Sequence, residues 1–248
     1  MNKKTKHIKS LLKTSIFFIC IIFLVTLPKV SDALTNAQVR KIANQVTVQI
    51  FAEKPRDPSQ LIAVGSGVII PSVEKNTYYV VTTKHVAYSG GEYTVKTFGG
   101  AKYAIKEDVT DLSNFDLSWL KFTSNKNYNG VKLADYGKLK AGDTIYIAGW
   151  SFNNDNMKFV RGKMRRKYLS QEDADGYTMS YRVPAENGMS GGPILDKNGH
   201  LIGIHGQSTT LYQRGIPINT FIRNSGLRWV GNRAVSYTHL TLPTTSRV

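Results

Sequence analysis

The 248 residues hold 33 Lys and Arg against 17 Asp and Glu, a formal charge of +16, and one cysteine. A lone cysteine excludes an intrachain disulfide framework, and a strongly basic balance favours acidic partners without choosing among them. The chain opens on a basic stretch, Lys3, Lys4, Lys6, Lys9 and Lys13, followed by the apolar run "SIFFICIIFLVTL" from Ser15 to Leu27. That run is short for a bilayer span, which needs roughly twenty apolar residues. Ser31 and Ala33 then supply the small residues of a cleavage site, so residues 1–33 read as a signal peptide cut after Ala33, with an uncleaved anchor as the alternative. Cys20 lies within the apolar run, so the mature chain carries no cysteine and no stable membrane span.

At the other end, "VSYTHLTLPTTSRV" (235–248) is rich in threonine and devoid of acidic residues. It resembles the in-frame translation of a sequencing adapter and is expected not to be native. Residues 34–234 remain: 201 residues with 26 Lys and Arg, 16 Asp and Glu, and a net charge of +10. This is enough for one two-lobed domain or two small ones. After a helix over Asn36–Asn44 come short β-branched and aromatic runs: Val46–Phe51, Gly67–Ile70, Tyr78–Thr83, Tyr93–Phe98 and Asp116–Phe122. Asp143–Trp150, Tyr177–Val183, Pro193–Asp196, Leu201–Gly206 and Gly215–Ile222 continue the series, with one helical turn expected after His85 and helix again beyond Asn219. Turn signals such as "SGG", "FGG" and "KNG" separate them, a spacing that predicts an all-β sandwich or barrel. The polar, glycine-punctuated Lys132–Asp143 reads as a crossing between a lobe over 34–135 and a lobe over 136–234.

The mature region has three histidines, His85, His200 and His205. His85 ends an apolar strand in "VVTTKHVA", Asp116 opens the strand "DLSWLKF", and Ser190 sits in the glycine turn "NGMSGGP". A serine hydroxyl is a weak nucleophile until an imidazole takes its proton, and a carboxylate fixes that imidazole's tautomer. The glycines would let the N–H groups of Gly188 and Ser190 point at one spot as an oxyanion hole. No zinc-like spacing, metal cluster or cofactor motif is present, and no nucleic-acid motif accompanies the basic run Arg161–Leu169, which reads as one solvated face of a twisted hairpin.

The motifs "TTKHVA", "FDLSWLKF" and "NGMSGGPILD", in this order, resemble the three catalytic motifs of trypsin-like, chymotrypsin-fold serine peptidases of the disulfide-free bacterial branch. The resemblance covers nearly all of Val46–Ile222. It implies two six-stranded antiparallel β-barrels with the active site in the cleft between them, and an exported endopeptidase with His85, Asp116 and Ser190 as triad. It also implies a peptide or protein substrate and no cofactor. Met189 stands where trypsin keeps an aspartate that captures a new N-terminus, so activation of that kind is not expected. Pro184 stands at the pocket position of trypsin's aspartate, which removes the basis for cleavage after Lys or Arg.

His205, in "GIHG", is similar to the histidine that binds acidic side chains in glutamyl endopeptidases, which would give a preference for Glu over Asp before the cut. The plainer alternative for His205 is a strand residue bonded to the backbone, and Glu186 nearby would oppose an acidic substrate if it faced the pocket. The rivals for the whole chain are a catalytically idle, protease-like binding module and a basic surface-binding protein whose fold is incidental.

Overall fold

The computed structural model describes residues 33–54, 57–70, 72–106, 108–153, 156–166, 175–230 and 233–235. The expected signal peptide with Cys20, residues 167–169 of the basic run and the tail after Val235 lie outside these residues. Helix α1 (Asn36–Val46) starts at a capping box: the Thr35 hydroxyl accepts from the Gln38 N–H, and the Gln38 side chain accepts from the Thr35 N–H at 2.8 Å. Val39, Ala43 and Val46 fall at helical spacing and are buried, so one face of α1 packs inward.

The first lobe is a seven-stranded antiparallel sheet of β1 (Thr47–Lys54), β2 (Asp57–Ile70), β3 (Thr77–Thr82), β4 (Tyr93–Thr97), β5 (Lys102–Ile105), β6 (Val109–Asp111) and β7 (Ser118–Thr123). The strand order is β5-β4-β1-β2-β3-β7-β6. In the second lobe β8 (Thr144–Ser151), β9 (Asn156–Arg166), β10 (Met179–Arg182), β11 (Pro193–Leu195), β12 (Leu201–Ser208) and β13 (Gln213–Pro217) close into a barrel. The all-β, two-lobed architecture is the expected one, with six strands closing the second lobe. The first lobe is a half-barrel whose edge strands β5 and β6 do not pair. β6 is only three residues long before Leu112 N–H turns back to the Leu117 carbonyl at 2.9 Å, too short to close the sheet.

Burial on both faces of the central strands explains how two lobes share one core. In β3, Val80 joins Val48, Ile50, Ile69 and Leu120 inside the first lobe, while Tyr79 and Val81 face a second cluster with Ala43, Leu195 and Ile204. In β8, Ile145 and Ile147 fill the barrel with Met179, Tyr181 and Ile194, while Tyr146 and Ala148 join that same second cluster. Successive strand side chains point to opposite faces, so one residue serves its own lobe and the next the contact between lobes. Each fully buried aliphatic side chain contributes about 1.5–3 kcal/mol, so this shared cluster binds the two lobes together.

The expected strand Gly215–Ile222 is instead divided. β13 ends at Pro217, and helix α2 (Ile218–Asn224) begins on the next residue. Proline lacks the N–H that a sheet ladder needs, and its fixed φ (here −58°) suits a helix entry. A final hairpin pairs β14 (Arg228–Val230) with β15 (Arg233–Val235).

Candidate active site

His85 leaves the end of β3 in a single tight turn, in which the N–H groups of Val86 and Ala87 both donate to the Thr83 carbonyl, at 3.1 and 3.2 Å. Asp116 lies just before β7, the neighbour of β3 in the sheet, so the two side chains meet at one sheet end. The Asp116 carboxylate holds His85 twice. One oxygen takes the His85 backbone N–H at 2.8 Å, and the other lies 2.6 Å from the ring Nδ1. An ionised carboxylate only accepts, so Nδ1 carries a proton and, in the neutral ring, Nε2 keeps its lone pair. Thr83 Oγ1 lies 3.4 Å from Nε2.

Asp116 is 13% exposed, which by itself would raise its pKa. Hydrogen bonds from His85 and from the Tyr177 hydroxyl, together with the charge of His85, outweigh burial and hold the carboxyl below its ordinary value. Tyr177 is buried, and its own hydroxyl is pushed up by that burial and by the Asp116 charge, so it remains a donor.

Ser190 follows β10 in the turn Gly188–Gly192, and that turn is fastened to the first lobe. Ser66 N–H donates to the Ser190 carbonyl at 2.8 Å, and Ser66 Oγ donates to the Gly188 carbonyl at 2.8 Å while accepting the Trp150 N–H at 2.8 Å. Gly191 N–H donates to the His205 carbonyl at 2.7 Å. Gly188 has φ +96° and Gly191 φ +84°, a region that favours glycine. A Cβ on Gly191 would stand 2.0 Å from the Ser66 carbonyl oxygen and 2.1 Å from Thr82 Oγ1. Close approach of two backbones therefore dictates the glycine there. Among the described residues no acceptor takes the N–H of Gly188 or Ser190, the pair expected to form the oxyanion hole. Ser190 Oγ itself donates to the Gly206 carbonyl at 2.9 Å.

The cleft beside these groups is open, with Lys84, His85 and Asp116 from the first lobe on one wall and Gly206, Gln207 and Ser208 of β12 on the other. His205, one residue from the cleft lining, points into the barrel: it is 2% exposed, and its Nδ1 lies 2.6 Å from the Tyr181 hydroxyl. Tyr181 also donates to the Arg214 carbonyl at 2.9 Å. Its single proton serves that bond, so His205 Nδ1 is the donor to Tyr181. Burial, and secondarily the charge of His85, lowers the His205 pKa to about 4, so the ring is neutral at pH 7.

Pro184 is exposed on the segment after β10. Glu186 is engaged by Ser151, by Asn153 and by Lys158 Nζ at 3.2 Å, which lower its pKa and keep it a carboxylate, its charge offset by Lys158. Met189 is fully buried in the barrel core. His200 is half-buried against Asp196 in the β11–β12 turn. Arg161, Lys163 and Arg165 line the exposed side of β9, with Arg165 over the Tyr212 ring at 4.9 Å. Among the described residues no cluster of metal-ligating side chains occurs, and no helix is long and apolar enough to cross a membrane.

Residues 65–204, more than half of the chain, match the family of trypsin-like peptidase domains. The chain belongs to that family. As a trypsin-like peptidase domain it is 29% identical over 148 residues to the periplasmic serine endoprotease DegP of Salmonella typhimurium, covering 59% of this chain and 30% of the relative. The DegP of Escherichia coli is 28% identical over 148 residues, with the same coverage. The chain thus spans about a third of the length of these curated relatives. Among solved structures, the HtrA-type protease AlgW with a decapeptide superposes with a TM-score of 0.64 at 19% identity, over 78% of this chain and 67% of that one. At that identity the likeness is one of fold.

Sequence reasoning named His85 and Asp116, which line the cleft, and Ser190, whose Oγ bonds the carbonyl of the cleft residue Gly206; it did not single out Ser66, Tyr177 or Arg214. Ser66 follows a glycine in an apolar strand, which carries no chemical signature. Tyr177 carries no signature either: it lies just before β10 and packs in the cluster between the lobes, whereas Tyr181, four residues on, fills the barrel.

Proposed function

We propose that the chain is an exported serine endopeptidase acting through an acyl-enzyme. The observation that carries this reading is the double grip of Asp116 on His85, which fixes the Nδ1–H tautomer and leaves Nε2 to act as a base. In the proposed mechanism Ser190 Oγ exchanges the Gly206 carbonyl for His85 Nε2, giving up one hydrogen bond of about 0.5–1.5 kcal/mol. Oγ then attacks the scissile carbonyl carbon as its proton passes to Nε2. The oxyanion is received by the Gly188 and Ser190 N–H groups, and the proton is delivered from Nε2 to the leaving amine. Water repeats the sequence to release the acyl group. Export is supported by the basic and apolar start of the sequence and by the periplasmic naming of its relatives.

The substrate we propose is an acidic peptide, with Glu preferred before the cut. Support comes from the +10 charge of residues 34–234, from the pairing of Glu186 with Lys158 and from two groups beside the cleft. Arg214 lies over the Tyr177 ring, with Nη1 3.4 Å from the side chain of Gln207, a cleft residue. His205 stands one residue behind the lining. Because its Nδ1–H is used by Tyr181, a substrate carboxylate must bring a proton onto Nε2. Discrimination by His205 should therefore grow as pH falls from 7.5 towards 5.5.

A fluorophosphonate probe separates this reading from an idle binding module. Wild type should label at Ser190 and Ser190→Ala should not, with peptide turnover falling by about a millionfold in that variant. Absence of labelling in folded wild type would leave the binding module as the function. Peptides differing only before the cut test the substrate, and faster turnover of Lys or Leu peptides than of Glu peptides would overturn the acidic preference.

A further inference from the structure

The Asp116 carboxylate has two side-chain donors, and only one is explained by the triad. His85 Nδ1 takes one position on Oδ2, and the Tyr177 hydroxyl donates to the same oxygen from the far lobe. Tyr177 reaches it because residue 206 is a glycine. A Cβ built on Gly206 would lie 2.1 Å from the Tyr177 hydroxyl oxygen and 2.5 Å from a ring carbon. The tyrosine hydroxyl thus occupies the space that a side chain at position 206 would fill, on the strand that also supplies the carbonyl accepting from Ser190 Oγ.

The ring is held from several directions. Tyr177 is 1% exposed, Arg214 lies over it at 5.7 Å, and Arg214 Nη2 donates to the Tyr177 carbonyl at 3.1 Å. Asp116 is also tethered by its own backbone, its N–H donating to the Asp175 carbonyl at 3.0 Å two residues before Tyr177. The segment 175–177 therefore grips both ends of Asp116.

We propose that Tyr177 is a positioning residue for catalysis, acting through Asp116: its hydroxyl fixes the carboxylate against His85, and Tyr177 with Gly206 forms an exchangeable pair that brings one hydroxyl to Asp116 Oδ2. The proposal rests on reading His85, Asp116 and Ser190 as a working triad. A hydrogen bond to a charged group, once removed, lowers a rate by about ten- to a hundredfold. The hydroxyl also withdraws negative charge from the carboxylate. Without it, the carboxylate holds an imidazolium more firmly, and the acid limb of the kcat/KM profile moves to higher pH.

The test uses Tyr177→Phe, Tyr177→Ala, and the double variants Tyr177→Ala with Gly206→Ser and Tyr177→Ala with Gly206→Ala. Tyr177→Phe keeps the ring and should lower kcat about ten- to a hundredfold, with KM within about threefold and the acid limb displaced upward. The Gly206→Ser double variant should recover at least about tenfold over Tyr177→Ala, and the Gly206→Ala double variant, which restores volume without a hydroxyl, should recover nothing. A Tyr177→Phe enzyme within about threefold of wild type in kcat, with an unmoved acid limb, overturns the proposal. So does equal recovery by Ser and Ala. A readout independent of turnover separates this failure from failure of the peptidase reading. The low-field proton resonance of His85 Nδ1–H should move in Tyr177→Phe made in the Ser190→Ala background, and its constancy overturns the role of Tyr177 whether or not Ser190 reacts.

Discussion

Lowering pH should destabilise the second lobe through one residue, His205. Its imidazole is 2% exposed, its Nδ1 is committed to Tyr181, and its pKa falls from an ordinary 6.5 to about 4 in the folded protein. Between those values the unfolded chain binds a proton that the folded chain refuses. Stability from the neutral ring is therefore full above pH 6.5 and is lost as pH falls towards 4. Two and a half pKa units at 1.36 kcal/mol each bound the loss; the titration curves give about 2 kcal/mol at pH 5 and about 2.5 kcal/mol at pH 4.5. Carboxylates titrate in the same range, so the measurement is a difference. Urea unfolding of Ser190→Ala, which cannot digest itself, is compared from pH 7.5 to 4.5 with Ser190→Ala carrying His205→Leu. The Leu variant is expected to be the less stable at pH 7.5, where Tyr181 loses its donor, and to gain about 2 kcal/mol on its parent by pH 5. A gap constant within about 0.5 kcal/mol across that range would refute the buried neutral imidazole.

Two further outcomes follow from the turn that carries Ser190. Ser66→Ala strands the buried Gly188 carbonyl and the Trp150 N–H at about 1–3 kcal/mol each, so thermal unfolding should drop by about 5–15 °C and kcat should fall with little change in KM. A melting point unmoved within about 2 °C would mean that the two groups find other partners. Gly191→Ala places a methyl 2.0 Å from the Ser66 carbonyl oxygen at φ +84°, and a displacement of about 1 Å at the nucleophile costs about a hundredfold in probe labelling. Labelling at the wild-type rate would show that the turn can yield.

Much of the fold was legible because period-two burial leaves a mark. "YYVVTT" and "DTIYIAGW" are apolar on both faces, and they became the central strands whose alternate residues serve the lobe interior and the contact between lobes. The half-barrel of the first lobe was not legible. It depends on β5 and β6 being four and three residues long, and short polar-flanked strands such as "VTD" carry too little periodicity to be separated from loop. The division of "GIPINTFI" was recoverable from Pro217 alone, since a proline without a donor ends a ladder and suits the start of a helix.

The candidate site divides along the same physical line. Residues whose chemistry is local announce themselves: Ser190 by the glycines around it, His85 by the strand end on which it stands. Residues that act by reaching across the molecule do not. Ser66 touches Gly188 over a separation of 122 residues and Tyr177 touches Asp116 over 61, and neither neighbourhood in sequence is unusual. What marks such contacts is the space they require of a partner. Gly191 is bare because the Ser66 carbonyl and Thr82 crowd it, and Gly206 is bare because Tyr177 fills the volume beside it. A glycine inside an apolar strand such as "LIGIHG" therefore reports the close approach of something else, and the identity of that neighbour is set by the fold.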